Sequence, residues 1–201
     1  MNNDEKKYLK KILDDYKIKK EEALDVGCGP KEKITADNND QQAFTNRLTG
    51  LDKNVDFEPD IVLDFSTEAA KLEKNKYKLV LLSHMLEDCE NPYDVLRSCN
   101  RILRDNGLLV IIQPYRGRYP RIGSEEANPG HRYDFEPYDV LYMVERTFYG
   151  KYKVINRIDD LSDRSFGLVI KKLNIPDASK NFKFPGIRKH YKQYYKLLGK
   201  E

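Results

Sequence analysis

The sequence predicts an α/β fold, an open and mostly parallel seven-stranded sheet with helices on both faces, and three observations carry that expectation. Short apolar runs alternate with stretches of helical periodicity along most of the chain, as βαβ units require. Several of those runs end in a glycine turn or a carboxylate, the pattern of strands whose carboxyl ends face a ligand. The chain has 201 residues, enough for one core of that size.

Taken in order, residues 4–19 place Tyr8, Leu9, Ile12, Leu13 and Tyr16 on one helical face, with lysines and acids opposite, which predicts an amphipathic helix. A first strand, Ala23-Leu24-Asp25-Val26, runs straight into Gly27-Cys28-Gly29-Pro30, where two alternate glycines bare the backbone to a ligand. A complete Gly-x-Gly-x-x-Gly fingerprint is missing because Glu32 stands at the third position, which weakens a nicotinamide reading. An ordinary glycine turn after a buried strand is the plainer alternative.

The run from Leu48 to Asp52 is the second strand, and Asp52 at its tip is suited to accept hydrogen bonds from both ribose hydroxyls of a nucleoside. A third strand, Asp60-Ile61-Val62-Leu63-Asp64-Phe65, ends in another carboxylate beside an aromatic ring that would cover an adenine face. Residues 31–47 are polar and rich in Asn, Asp and Gln, so the first crossover helix is expected to be short or irregular. A short helix starting at Ser66/Thr67 follows within 66–74. Residues 77–83 form the fourth strand. Pro92 opens a helix over 92–103 that Asn106-Gly107 ends. The unbroken apolar run 108–113 is a strand buried on both faces.

Gly, Pro, Arg and Tyr without period in 114–130 predict a long loop leaving the carboxyl edge of the fifth strand, read as a substrate lid. A helix over 138–147 and two strands, 152–158 and 165–173, joined by a turn at 159–163, complete the domain. Beyond it, Phe182, Tyr191 and Tyr194 interleave with lysines. That tail either docks its aromatic side on the domain or holds an anionic partner. The organisation expected is thus a helix at 1–20, a ligand-binding domain at 21–175 with a lid at 114–131, and a basic aromatic tail at 176–201.

A net charge of +3 is too small to imply nucleic acid by itself, and 39% hydrophobic with 34% charged residues is ordinary for a globular chain. No run is long enough to span a bilayer and no secretory leader is evident, so the expected location is cytoplasmic. Cys28, Cys89 and Cys99 lack metal-type spacing, and neither a disulfide framework nor a metal is expected.

Several motifs in the right order resemble the class I S-adenosylmethionine-dependent methyltransferases, of the small type 11-like kind, over residues 22–173. Leu24-Asp25-Val26-Gly27-Cys28-Gly29 resembles the family's first motif, Gly50-Leu51-Asp52 its ribose-binding strand end, and Ile61-Val62-Leu63-Asp64-Phe65 the segment framing the adenine. Ser83-His84-Met85-Leu86-Glu87-Asp88 is similar to its Ser-His-Val-Leu-Glu-His run, with Asp88 in place of the last histidine, and 101–110 to its lead into strand five.

The resemblance implies a Rossmann-like doubly wound sheet of order 3-2-1-4-5-7-6 and S-adenosylmethionine as cofactor, with S-adenosylhomocysteine as product. It assigns Asp25, Gly27, Cys28, Gly29, Leu51, Asp52, Asp64, Phe65, Ser83 and His84 to the cofactor, and it allows the first helix a place near the cofactor mouth. Proton removal from a hydroxyl or amine acceptor suits histidine, of which there are His84, His131 and His190. His131 is the preferred base, with Asp134 or Tyr133 as orienting partner, or else only a cap of the following helix. His84 is a second candidate. Tyr115, Arg116, Arg118, Tyr119, Arg121 and Tyr133 would form the lid, its arginines suiting an acceptor with phosphate or carboxylate.

The motifs of DNA-methylating enzymes are missing, which disfavours a nucleic-acid substrate. The expected activity is therefore methyl transfer to oxygen or nitrogen of a small metabolite or glycan. A non-catalytic adenosyl-binding subunit and an NAD(P)-dependent oxidoreductase are the alternatives.

Overall fold

The computed structural model describes residues 1–30 and 47–174. The expected irregular crossover at 31–46, the tail at 176–201 and His190 lie outside them.

Helix α1 (Asn3–Asp15) starts where a capping box fixes it: the Asn2 side chain accepts the N–H groups of Asp4 and Glu5, and Glu5 returns a carboxylate oxygen to the Asn2 N–H at 2.8 Å. It buries Leu9, Ile12 and Leu13. The helix stops short of the expected Lys19 because Lys17 takes a left-handed φ of 48°, and this leaves Tyr16 exposed rather than in the apolar stripe.

Seven strands follow: β1 (Ala23–Val26), β2 (Thr49–Asp52), β3 (Ile61–Val62), β4 (Tyr77–Ser83), β5 (Leu103–Pro114), β6 (Tyr152–Ser162) and β7 (Ser165–Lys172). They form one sheet of order β3-β2-β1-β4-β5-β7-β6, parallel except where β7 pairs with β5 and β6. The predicted order and class hold. Helices α3 (Pro92–Ile102) and α4 (Pro137–Phe148) cover one face, with Leu96, Val140 and Phe148 packed against Leu24, Val80 and Leu109. On the other face α1 packs Leu9 and Leu13 against Leu79, Leu81 and Val110. Gly167 makes that packing possible, since a Cβ there would meet the Tyr8 ring at 2.8 Å.

Three boundaries differ from the sequence reading, each for a local reason. The third strand is only two residues long because Asp64 leaves it to cap helix α2 (Phe65–Glu68), accepting the Ser66 N–H at 2.9 Å, so the cap is Asp64 and not Ser66 or Thr67. Strand β5 begins at Leu103, which pairs with Tyr77 before a bulge restores the register at Leu79 and Leu108. Asn106, at φ 62°, and Gly107 form that bulge rather than only ending a helix. The last hairpin is tighter than expected: β6 runs to Ser162, and only Asp163 and Arg164 separate it from β7.

Candidate active site

A crevice of about 280 Å³ opens beyond the carboxyl ends of β1, β2 and β4, at the low end of the range for small-ligand sites. Its floor is backbone. Gly27 and Gly29 have φ of 71° and 67°, a region that side chains disfavour, and a Cβ on Gly29 would meet nothing within 4 Å, so the turn stands open to a ligand. Gly27 is roofed instead, by Met85, whose Cγ would lie 3.1 Å from a Cβ.

Asp52 is held in place before any ligand arrives. One carboxylate oxygen accepts the Gly29 N–H at 3.0 Å and the other accepts the Asn54 N–H at 2.9 Å. The strand tip and the glycine turn are thereby one rigid unit, with lone pairs remaining on each oxygen. Phe57, Leu63 and Phe65 give the crevice an apolar side, and Asp64, Ser66 and Lys53 a polar one.

Of the residues expected at the cofactor, Gly27, Gly29, Leu51, Asp52, Asp64, Phe65 and His84 line this crevice, and Asp25, Cys28 and Ser83 do not. Strand alternation turns Asp25 away from the face that carries Leu24 and Val26, and Ser83 away from that of Leu82. Burial, with the Asp52 charge adding, pushes the Asp25 carboxyl up to about 7. Cys28 packs its sulfur on Gly50, and burial pushes its thiol up to about 12, so it is a filler and not a nucleophile. Sequence reasoning missed Lys53, Phe57, Leu63, Ser66, Met85, Asp88 and Cys89 in the lining. Leu63, inside the segment compared with the adenine frame, and Met85 and Asp88, inside the strand-four run, carried a signal.

At the far wall, His84 holds a φ of 52°, costly for a non-glycine residue and maintained by its N–H to the Ile112 carbonyl. Its Nε2 lies 3.1 Å from Glu5 of α1 and its Nδ1 3.6 Å from Glu87. Burial alone would push the imidazole down, but the two carboxylates outweigh it and hold His84 at about 9. Burial likewise pushes Glu5 up, and the hydrogen bonds from His84 and Ser165 reverse that, to about 2. At neutral pH His84 is therefore an imidazolium. Helix α1 packs on the sheet and supplies Glu5 behind His84, which lines the crevice.

His131 is 7% exposed, with Nε2 at 3.9 Å from both Glu87 and Asp88 and its ring 5.0 Å from that of Tyr119. Its expected partners do other work: Asp134 accepts the Ile122 N–H, and the Tyr133 hydroxyl donates to the Glu90 carbonyl. His131 does not line the crevice and stands behind Asp88, which does.

None of the expected lid residues 114–131 lines the crevice; the segment is docked beside it, where Arg132 and Tyr133 donate N–H groups to the Glu87 carbonyl. Tyr115 packs edge-on to Phe166. Arg116 binds Asp139 at 2.7 Å and Arg118 binds Asp160 at 2.7 Å, so both arginines answer carboxylates of the protein itself. Arg121 is exposed.

Among the described residues no three His, Cys, Asp or Glu side chains converge to hold a metal ion, and no helix is long and apolar enough to cross a membrane.

A family model described as a methyltransferase domain matches residues 2–149. No curated protein matches the sequence. Among solved structures, the fold is similar to a proposed type 11 methyltransferase from Sulfolobus solfataricus, with TM-score 0.55, 18% identity and coverage of 85% of this chain and 92% of that one. It is also similar to an S-adenosylmethionine-dependent methyltransferase from Aquifex aeolicus, with TM-score 0.58, 12% identity and coverage of 86% and 100%. A third is the Burkholderia thailandensis 1,6-didemethyltoxoflavin-N1-methyltransferase, solved with 1,6-didemethyltoxoflavin and S-adenosylhomocysteine bound, with TM-score 0.57, 13% identity and coverage of 84% and 78%.

Proposed function

Since the chain belongs to the methyltransferase-domain family, we propose that it transfers a methyl group from S-adenosylmethionine to an oxygen or nitrogen of a small metabolite or glycan. The observation that carries this reading is the rigid pairing of Asp52 with the open Gly29 turn. A carboxylate already oriented by two backbone N–H groups accepts a pair of ribose hydroxyls at little entropic cost, and the bare turn admits a ligand to the backbone beside it. Phe57, Leu63 and Phe65 suit an adenine ring.

When bound, the cofactor would be held by Asp52, the Gly27–Gly29 turn and the Phe57, Leu63 and Phe65 side, and would supply an electrophilic methyl group for an acceptor heteroatom. The residues of the chain align the partners and exclude water. His84 and Met85 wall the far side of the crevice, with Glu5 of α1 holding His84 from behind. His131, 3.9 Å from the lining residue Asp88, is the histidine we assign to take the acceptor's proton. The site of action is the cytoplasm.

Calorimetry tests the reading: S-adenosylhomocysteine binds the full chain and NAD does not. Binding of NAD alone would return the oxidoreductase alternative. Cofactor binding without methyl transfer to any of a broad panel of hydroxyl and amine acceptors would favour the non-catalytic subunit.

A further inference from the structure

The edge of the sheet opposite the crevice carries a second and larger concavity, of about 420 Å³. It forms where the chain enters its parallel strands: Lys74 precedes β4, Arg101 precedes β5, Lys151 precedes β6, and Lys172 ends the antiparallel β7. Two of these cations are pinned by backbone. Lys172 Nζ donates to the Asn100 and Leu103 carbonyls at 2.7 Å each and to Asn75 Oδ1 at 3.3 Å, and Arg101 Nη2 donates to the Leu72 carbonyl at 2.9 Å. Burial pushes the Lys172 ammonium down, Asp105 opposes that, and the Lys74 charge adds to it. Cations that already repel one another are the setting that a bound anion relieves.

The charges of the domain are sorted between its two edges. Asp52, Asp64 and Asp88 line the crevice against Lys53 and His84, whereas the opposite concavity sets four cations against Asp105 alone. Beyond Asn174, which also lines that concavity, the sequence continues through 27 residues with seven Lys and Arg and only two acids, although the whole chain is no more than +3. The residues before them are therefore net negative, and a basic concavity stands out against that background. Tyr149, at a left-handed φ of 53° and 67% exposed, belongs to the same lining. An aromatic ring with a polar tip, held out beside lysines, suits the boundary between lipid and water.

We propose that this edge is a docking surface for an anionic lipid bilayer, with a phosphate headgroup seated in the concavity beside Lys74 and Arg101 and with Tyr149 at headgroup level.

A bilayer fits these features better than a nucleic acid does. A nucleic-acid backbone is tracked by cations spread along a groove, and the cations here converge on one concavity. In the sequence that follows, Ile187, Tyr191, Tyr194 and Leu198 recur at intervals of three or four with Arg188, Lys189, Lys192 and Lys196 between them. Aliphatic residues in such a basic pattern gain from burial in lipid and not from contact with bases. The crevice lies at the carboxyl ends of the parallel strands and the concavity at their amino ends, so a docked chain turns its crevice to the solvent and takes its ligands from solution. Docking depends only on these two edges and is independent of what the crevice holds.

The chain has no tryptophan, so a single introduced one reports on its own surroundings in the full-length protein. Tyr149→Trp places it at the concavity, and Val55→Trp, at a side chain 64% exposed in the turn that carries Phe57 to the crevice, places it at the other edge. With vesicles of phosphatidylcholine and phosphatidylglycerol, the Tyr149→Trp emission should shift to the blue and be quenched by brominated lipid, and the Val55→Trp emission should do neither. Vesicles of phosphatidylcholine alone should have no effect, and molar salt should release the protein. At about fivefold for each basic residue near an anionic surface, Lys74→Gln with Lys151→Gln should weaken vesicle binding about tenfold or more. The same changes at Lys7 and Lys10, exposed on α1, should move it less than about twofold. If the double variant does not fold, Lys74→Gln alone, at an exposed side chain, should weaken binding about fivefold. Equal quenching at both reporters overturns the orientation, and vesicle binding indifferent to Lys74 and Lys151 overturns the role of the concavity. A single-stranded oligonucleotide or inorganic phosphate that moves the Tyr149→Trp emission while vesicles do not overturns the bilayer as partner.

Discussion

Replacing Glu5 by Gln removes one charge from the pair that joins α1 to the wall of the crevice and preserves the shape of the side chain, including the oxygen that caps the Asn2 N–H. Against burial, Glu5 moves from an ordinary 4.5 to about 2 through His84, with Ser165 and Asn2 adding, and His84 moves from 6.5 to about 9 through Glu5 and Glu87. At about 1.4 kcal/mol per pH unit each displacement corresponds to about 3 kcal/mol, and the part the two share, the Glu5–His84 contact, is counted once. The His84 side chain is 36% exposed, so solvent screening lowers the expectation to about 2 kcal/mol. The depressed carboxyl stabilises the fold above 4.5 and loses that contribution as pH falls through about 2. The raised imidazole stabilises it below 6.5 and loses it as pH rises through about 9. Both contributions are complete only between about pH 4.5 and 6.5. Urea unfolding of wild type and Glu5→Gln at pH 5.5 should therefore differ by about 2 kcal/mol, and the difference should shrink toward zero by pH 10, where wild-type His84 is neutral. An equal penalty at both pH values would refute the reasoning, because it would show that Glu5 acts through packing or capping and not through charge.

The remaining predictions address the crevice and the α1 face. Asp52→Ala should weaken S-adenosylhomocysteine binding by about 2 kcal/mol, roughly 30-fold in calorimetry, through loss of charge-assisted hydrogen bonds; unchanged affinity would take Asp52 out of the site. Gly29→Ala, with open space around its Cβ but a left-handed φ, should cost about 1 kcal/mol of stability and a larger share of ligand affinity, read by urea melts beside titrations. Gly167→Ala, meeting the Tyr8 ring at 2.8 Å, should cost about 1–3 kcal/mol, and a second change, Tyr8→Leu, should recover part of it. Cys28, with its thiol pushed up to about 12, should resist iodoacetamide at pH 8 on a timescale that alkylates free cysteine, as mass spectrometry of the intact chain would show.

The strands and helices were legible because their signals are local. An unbroken apolar run such as Leu79-Val80-Leu81-Leu82 can only be a buried strand in a chain of this kind, and the glycine turn and Asp52 follow directly from strand ends. Boundaries were misread where a tertiary partner outweighed propensity. Leu103 joined β5 because Tyr77 was there to pair with it, and Asp64 left β3 because capping α2 gave it a backbone donor. The lid arginines illustrate the same limit. Their composition suggests an anion site, yet nothing in the order of residues places Asp139 or Asp160 beside them.

By itself, then, the sequence determined the layering of the sheet, its order through family resemblance, and the edge at which the crevice opens, since period, turn chemistry and strand-end carboxylates are properties of short stretches. Which charges meet was decided only by folding. Glu5 and His84 are 79 positions apart and their side chains sit 3.1 Å apart, and Glu87 lies buried between two imidazoles drawn from different segments. Pairings of that kind depend on distance and desolvation in three dimensions, and those set the charge on His84.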